Sequence, residues 1–277
     1  MIRRILIPTD GSVAAEKGWR YALELAKRHG ACLVGLHVVD VRLLEGPFLR
    51  DLSASLGTAP YVNYQGNISM LLEERGKLAL ELLKKTADEV GVSCEIKQET
   101  GIVSRCIVEE GGLTDLIVMG RGGEHDEWLD GVLGSTAEAV VRRSKQPVLI
   151  TATDTPGSRL AVVAYDGTSH AKQALKASAI VAAEWKIPFH LLVVGNEEYR
   201  YLLDEAKTYL QSYEALDITY TLQEGDPGEV IIEYVTQQNA DLLVIGAYGH
   251  SKMRELVIGS TCSYVLNHAP CPVLLAH

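Results

Sequence analysis

The chain has 277 residues, of which 47% are hydrophobic and 22% charged, and its formal net charge is −10. This composition fits two globular domains, and the acidic balance argues against binding to a nucleic-acid backbone, which usually requires a basic face. No apolar run approaches the roughly 20 residues of a membrane helix, and the N-terminus lacks the apolar region of a signal peptide. We therefore expect a cytoplasmic protein without a membrane partner.

Short β-branched runs alternate with amphipathic stretches in the first half of the chain. Strands are predicted at 4–8, 32–39, 93–99, 116–120 and 148–151, and helices at 14–29, 69–90, 103–110 and 135–144. The stretch 41–67 contains Gly and Pro, has no clear period and is predicted to be a long, functional or mobile loop. The polar segment 152–159, with its Pro-Gly pair, has the character of a domain boundary.

The second half repeats the alternation. Strands are predicted at 160–165, 188–194, 217–223, 242–246 and 273–276, and helices at 169–185, 198–216, 228–238 and 260–268. Nearly continuous apolar strands are typical of a parallel sheet that is buried on both faces. We predict an α/β fold of two tandem Rossmann-like domains, each a five-stranded, mostly parallel sheet flanked by about four helices. The domains are predicted at 1–152, with an insertion at about 41–67, and at 159–277.

The two halves are copies of one unit. Residues 5–12 resemble 161–168, residues 115–120 resemble 241–246, and residues 147–150 resemble 272–275. The offset falls from 156 to 126 to 125 along the chain, so the first copy carries about 30 extra residues in its middle. Each copy ends in a short apolar strand, and pairing of these strands would protect two edges. We expect an intramolecular pseudo-dimer, and a homodimer stays open.

A glycine-rich loop follows the fourth predicted strand of the second copy. Gly246 and Gly249 precede nine residues, after which Gly259, Ser260 and Thr261 begin a helix. Glycines let backbone N–H groups approach an anion without a Cβ between them. The free N–H groups and the positive dipole end of a helix favour phosphate. The spacing therefore predicts a phosphate site.

Side chains near this loop extend the predicted site to a whole nucleotide. His250 lies in the loop as a polar group or phosphate donor. Asp166 and Asp10, at the ends of the first strands, are placed to hold a ribose hydroxyl or a metal ion. Val194 and Val39, at the ends of the second strands, are placed to pack against a base. The alternative is that these glycines and aspartates are turn residues and the hydroxyls ordinary helix caps.

Four segments resemble the universal stress protein family, and the resemblance covers nearly all of both copies. They are ILIPTDGS at 5–12, GDP at 225–227, the glycine motif at 246–260 and PVLL at 272–275. The resemblance implies a tandem member of the ATP-binding branch, with ATP and Mg²⁺ or Mn²⁺ as its ligands. It also implies a nucleotide-dependent regulator of the stress response that is non-catalytic or hydrolyses ATP slowly, with a protein partner that the sequence does not identify.

Carried over position by position, the resemblance implies nucleotide contacts in both copies. In the second copy these are Asp166, Val194, Ile245, Gly246, Gly249, Gly259, Ser260 and Thr261. In the first copy they are Asp10, Val39, Met119, Gly120, Gly123, Gly134, Ser135 and Thr136. The metal would lie at Asp166 and Asp10. Ten residues separate Gly123 from Gly134, so the first copy departs from the motif.

The charges of the two glycine loops differ. Between Gly246 and Gly259 the loop has two basic residues and one acidic residue, a net charge of +1. Between Gly120 and Gly134 one basic residue stands against four acidic ones, a net charge of −3. Since like charges oppose the binding of a triphosphate, we expect the second copy to bind ATP more tightly.

Two other functions stay open. One is a binding module for a different small, apolar ligand, in which the insertion is a lid lined by Leu43, Leu44, Phe48, Leu49 and Tyr61. The other is a scaffold with empty sites. The chain has no Walker P-loop, no nucleophile elbow and no evident nucleophile–base pair, so we expect no catalytic residue and no dedicated enzyme. Cys262, in the first turn of a predicted helix, is either a reactive thiol or a small buried residue.

Overall fold

The structure is a computed structural model that describes residues 2–45, 61–123, 133–151, 153–157, 159–185, 187–213, 216–247 and 259–277. The strands in these ranges are β1 Arg4–Pro8, β2 Cys32–Asp40, β3 Cys94–Gly101, β4 Leu116–Gly120, β5 Val148–Thr151, β6 Ala161–Ala164, β7 Phe189–Val194, β8 Ile218–Gln223, β9 Leu242–Gly246 and β10 Val273–Ala276. The helices are α1 Val13–His29, α2 Val41–Glu45, α3 Tyr61–Glu89, α4 Val103–Gly111, α5 Ser135–Arg143, α6 Ser169–Trp185, α7 Arg200–Leu210, α8 Pro227–Gln237 and α9 Ser260–His268.

All ten strands belong to one sheet, in the order β3-β2-β1-β4-β5-β10-β9-β6-β7-β8. Neighbouring strands within each half are parallel, whereas β5 and β10 are antiparallel, with Leu149 opposite Leu274. The α/β fold with two five-stranded parallel units is thus confirmed. The expected pairing of the two last strands is also present, so each half covers the edge that the other would expose.

The core lies on both faces of the sheet. Ile5 and Ile7 of β1 pack into one buried cluster and Leu6 packs into the other, as the alternation of side chains along a strand requires. Every residue of β4 is buried. Helices therefore cover both faces of the sheet at its centre, which is why β4 is apolar without interruption. The outer strand β3 contains charged residues and is partly exposed.

The prediction of a loop over 41–67 is wrong in part. α2 begins at Val41, and α3 extends from Tyr61, so the structure is helical at both ends of that stretch. Gly66 suggested a loop, but a Cβ built there would have no atom within 4 Å, so the residue is a tolerated glycine in an exposed helical position. Residues 46–60 lie outside the described ranges. α7 is also shorter than predicted and ends at Leu210.

Hydrogen bonds join the two halves beside the β5–β10 pair. Arg121 Nη2 donates to the carbonyl of Ala269 at 2.5 Å. The backbone N–H of Leu133 donates to Asn267 Oδ1 at 2.7 Å. The ring of the C-terminal residue, His277, is bonded through Nε2 to the carbonyl of Val141 at 2.7 Å. The halves are therefore joined by side chains as well as by the strand ladder.

Candidate functional site

A cleft opens in the first half at the carboxyl ends of β1, β2 and β4, where the strand order changes direction. Its volume is about 390 Å³. Ligands of open α/β sheets bind at such a switch point. The cleft brings together all eight site residues predicted for this half, which are Asp10, Val39, Met119, Gly120, Gly123, Gly134, Ser135 and Thr136.

The aspartates after β1 and β6 have a turn role. Asp10 Oδ1 accepts a hydrogen bond from the N–H of Ser12 at 2.9 Å. Asp166 Oδ1 accepts from the N–H of Thr168 at 3.0 Å and from its hydroxyl at 2.7 Å. The other carboxylate oxygen of Asp10 faces the glycine loop, because a Cβ built on Gly123 would lie 3.2 Å from Oδ2. Asp10 thus organises its turn and also presents an oxygen to the cleft.

The glycines that end β4 and β9 have a packing role that the sequence interpretation missed. A Cβ on Gly120 would lie 2.2 Å from the carbonyl oxygen of Ala14 in α1. A Cβ on Gly246 would lie 2.7 Å from the backbone nitrogen of Ala171 in α6. The assignment of Gly246 to the approach of an anion is therefore incomplete, since this position needs glycine for the helix to contact the strand.

The helices that follow the glycine loops begin without a side-chain cap. The N-cap residues of α5 and α9 are Gly134 and Gly259. Because glycine has no side chain, neither helix has a side-chain hydrogen bond at its N-cap. Ser135 and Ser260 are the first helical residues, so the view of their hydroxyls as ordinary N-caps is wrong. The first N–H groups of both helices are thus directed to the carboxyl edge of the sheet, where they favour an anion.

The second half places its predicted residues in the equivalent positions. Asp166 follows β6, Val194 ends β7, and Gly259, Ser260 and Thr261 lie at the start of α9. Ile245 and Gly246 end β9. Gly249 and His250 lie outside the described residues.

Two arginines of the first-half cleft were not predicted. Arg42 of α2 and Arg75 of α3 line it, together with Leu43 and Leu72. Arg42 is bound by Asp40 at 2.7 Å. The pattern of 69–90 predicted a helix, and α7 occupies the equivalent place between β7 and β8 in the second half. Because α3 has 29 residues and α7 has 11, the repeat did not show which side chains of α3 face the cleft. α2 and α3 therefore border the cleft with both apolar and cationic side chains.

A lid is supported only by Leu43 among the apolar residues proposed for it. Phe48 and Leu49 lie outside the described residues, and nothing is described of the side chains of Leu44 and Tyr61.

His37 is a further residue of the cleft that was not singled out. Its ring Nδ1 lies 2.8 Å from the carbonyl oxygen of Thr9, and its side chain is buried against α3. A Cβ on Gly76 would overlap the ring, at 2.0 Å from Cδ2. Gly76 therefore allows α3 to lie directly over β2. Arg75 is the neighbouring residue, so the same contact sets its position.

The described residues contain no group of three or more His, Cys, Asp or Glu side chains that could hold a metal ion. Asp10 fits a cation only when phosphate oxygens complete the coordination, which is how Mg²⁺ is usually held at nucleotides. The reactive-thiol interpretation of Cys262 is wrong, because burial raises the pKa of this thiol to about 12. Within the described part of the chain, no helix is long and apolar enough to cross a membrane.

Comparison with known proteins agrees with this geometry. The family model described as "Universal stress protein family" matches residues 1–152 and again residues 158–277. A universal stress protein of Synechocystis sp. is 30% identical over 285 residues, covering 99% of each chain. One from Methanocaldococcus jannaschii is 35% identical over 153 residues, covering 54% of this chain and 82% of its own.

The chain belongs to the universal stress protein family. Its two family matches and its repeated sheet make it a tandem member. A solved universal stress protein structure from Archaeoglobus fulgidus superimposes with a TM-score of 0.78 over 99% of this chain and 97% of that one. Its sequence identity of 21% supports the shared fold alone.

Proposed function

We propose that this universal stress protein binds an adenine nucleotide, ATP with Mg²⁺ or Mn²⁺, and acts as a cytoplasmic regulator of the stress response whose nucleotide state is read by a protein partner. The observation that carries the proposal is the first-half cleft, in which the eight residues that the resemblance implies line one cavity at the switch point of the sheet. The family resemblance supports ATP as the ligand.

Different parts of the cleft lining fit the base, the ribose and the phosphates of a nucleotide. Val39 and its apolar neighbours in β2 offer a surface for the base. The Asp10 carboxylate is placed to accept from ribose hydroxyls or to help hold the cation of a metal–nucleotide complex. The N-terminus of α5, with the Ser135 and Thr136 hydroxyls, offers donors to phosphate oxygens.

The proposal includes at most slow hydrolysis. Fast transfer would need a general base in reach of an attacking water. His37, the histidine of the described cleft lining, is bonded to the Thr9 carbonyl through Nδ1 and its ring packs on Gly76. Its free movement toward a substrate is therefore restricted, which agrees with a binding protein.

The apolar-ligand alternative rests on one observation. Leu43 of α2 and Leu72 of α3 line the same cleft as the polar residues. An apolar ligand would contact these two leucines. It would offer no hydrogen-bonding group to the N-terminus of α5 or to the Asp10 carboxylate. The polar end of the cleft therefore favours the nucleotide.

The small molecules that co-purify with the protein separate these functions. The full chain is purified without added ligand and denatured, and the released compounds are identified by mass spectrometry. Adenine nucleotide in proportion to protein is the expected result. An acyl or aromatic compound would support the apolar alternative, and a protein that carries nothing and takes up no added ATP would support a scaffold.

A further inference from the structure

A stripe of three leucines lies on the outer face of α3. Leu71, Leu78 and Leu82 are 70%, 64% and 52% exposed. At 3.6 residues per turn they fall within about 40° of one another around the helix axis. The helix packs on the sheet through its opposite face, where Leu80 and Leu83 are buried. A single exposed leucine is ordinary, but a contiguous row of them marks a surface that another apolar surface covers.

Charged residues of alternating sign lie along one side of this leucine stripe. In chain order they are Glu74, Lys77, Glu81 and Lys85, and all four are exposed. Within the described part of the chain, none of them forms an ion pair with another side chain. Their charges are therefore available to a partner that packs against the stripe.

The equivalent helix of the second half, α7, lacks the stripe. The buried residues of α3 and α7 correspond at a constant offset of 123, and they are Leu80 with Leu203, Leu83 with Ala206, and Ala87 with Leu210. This offset places Tyr201 and Glu205 at the positions of Leu78 and Leu82. The Glu205 carboxylate accepts a hydrogen bond from Lys172 at 3.2 Å, so it is engaged within its own half. The repeated fold therefore does not require leucines at these exposed positions.

The leucine stripe and its charges are complementary to a second α3 that runs antiparallel. A twofold axis that crosses the helix at residues 79–80 places Glu74 opposite Lys85 of the second copy and Lys77 opposite its Glu81. The same axis brings Leu78 and Leu82 against the same two leucines of the second copy. A twofold interface uses one surface patch twice, so it must be self-complementary in this way. Opposite charges beside an apolar helix seam set the partner and its direction.

We propose that two copies of the chain associate through α3, with the leucine stripes packed antiparallel and the flanking charges paired across a twofold axis. Removal of the leucine side chains from water drives the association. The strands β5 and β10 are already paired within the chain, so this interface uses a different surface. The proposal does not depend on nucleotide binding.

Sedimentation equilibrium of the full chain, at total concentrations up to about 100 μM, tests the proposal. The wild type is expected to dimerise. Leu78→Glu/Leu82→Glu is expected to raise the dimer Kd by about a hundredfold or more, because it replaces the apolar centre of the interface with charges. Both leucines are exposed in one copy, so the variant is expected to fold, which circular dichroism checks. Tyr201→Glu, at the equivalent position of α7, is the matched control and is expected to leave the Kd unchanged.

A charge exchange tests the antiparallel direction. Lys77→Glu/Lys85→Glu makes the flank of the stripe acidic, and Glu74→Lys/Glu81→Lys makes it basic. Each variant alone is expected to dimerise more weakly than the wild type, by about tenfold or more at low salt, because like charges then face each other. An equimolar mixture of the two is expected to form a heterodimer with a Kd close to that of the wild type.

Three results would overturn the proposal. They are a wild type that stays monomeric over the whole concentration range, a dimer that Leu78→Glu/Leu82→Glu leaves intact, and a mixture of the two folded charge variants that associates no better than either variant alone.

Discussion

Gly246 ends β9 against the backbone of α6. A substitution of Gly246 therefore alters the stability of the fold as well as any phosphate site. Gly246→Ala is expected to destabilise the fold by about 1–3 kcal/mol, because the new Cβ overpacks Ala171. The free energy of unfolding in urea measures the effect. Gly66→Ala is the matched control. Its Cβ meets nothing within 4 Å, so it is expected to be neutral or to stabilise the helix by up to about 1 kcal/mol. Equal stability of both variants would contradict the packing role.

The cysteines differ in access to solvent. Cys262 and Cys271 are buried, and burial raises the pKa of each thiol to about 12. Cys32 and Cys94 are partly exposed. A thiol reagent at neutral pH is expected to modify Cys32 first in the native protein and Cys94 more slowly, because burial raises the pKa of Cys94 to about 11. Cys262 and Cys271 are expected to be spared until the chain unfolds. Mass spectrometry of the labelled peptides checks this, and rapid native labelling of Cys262 would show that α9 opens readily.

At the scale of single elements, the starts of α5 and α9 are the proposed phosphate sites. Ser135→Ala and Ser260→Ala are each expected to weaken ATP binding at their own half by about 1–3 kcal/mol, the usual effect of losing a charge-assisted hydrogen bond. Calorimetry measures the affinity. Ser263→Ala changes an exposed serine one turn further along α9 and serves as the control. An effect of Ser263→Ala as large as that of Ser260→Ala would speak against a phosphate site at the helix start.

The end of β10 responds to pH. Burial lowers the pKa of His277 below its ordinary value of 6.5, although the bond to the Val141 carbonyl opposes this shift. The unfolded chain therefore takes up a proton that the folded chain resists, and stability present above about pH 6.5 declines as the pH falls. The free energy of unfolding is expected to fall less between about pH 7.5 and 5.5 in His277→Gln than in the wild type. Parallel curves would contradict this.

The elements that repeat in both halves were predictable because their signal is local. The apolar runs gave every strand within a few residues. The strand ends, the glycine loop and the family resemblance together gave eight residues of the first-half cleft. The positions of α2 and α3 on the sheet were not predictable in the same way. α3 lies over β2 through the contact of Gly76 with His37, two residues far apart in sequence, and nothing in the helical pattern specifies that pairing. Arg75 was missed for this reason, and Arg42 was missed because the stretch 41–67 was predicted to be a loop.

At the scale of the whole molecule, β5 and β10 join two halves into one sheet, and the glycine loops of these halves differ in charge. The first unit has the insertion and an acidic glycine loop, whereas the second has a basic glycine loop. Arg42 and Arg75 both line the first cleft, where Arg42 is paired with Asp40. The acidic glycine loop of the first half still opposes a triphosphate, so tighter binding of ATP by the second half stays our prediction.

Calorimetric titration of the full chain with MgATP tests nucleotide binding and its asymmetry together. The wild type is expected to bind ATP, Asp166→Ala to lose the tighter site and Asp10→Ala to keep it, because we propose that each carboxylate contributes to the nucleotide site of its own half. Circular dichroism checks that both variants are folded, since each aspartate also stabilises a turn. Loss of the tight site in Asp10→Ala with its retention in Asp166→Ala would reverse the assignment. A wild-type chain, free of bound ligand, that takes up no ATP would contradict nucleotide binding itself.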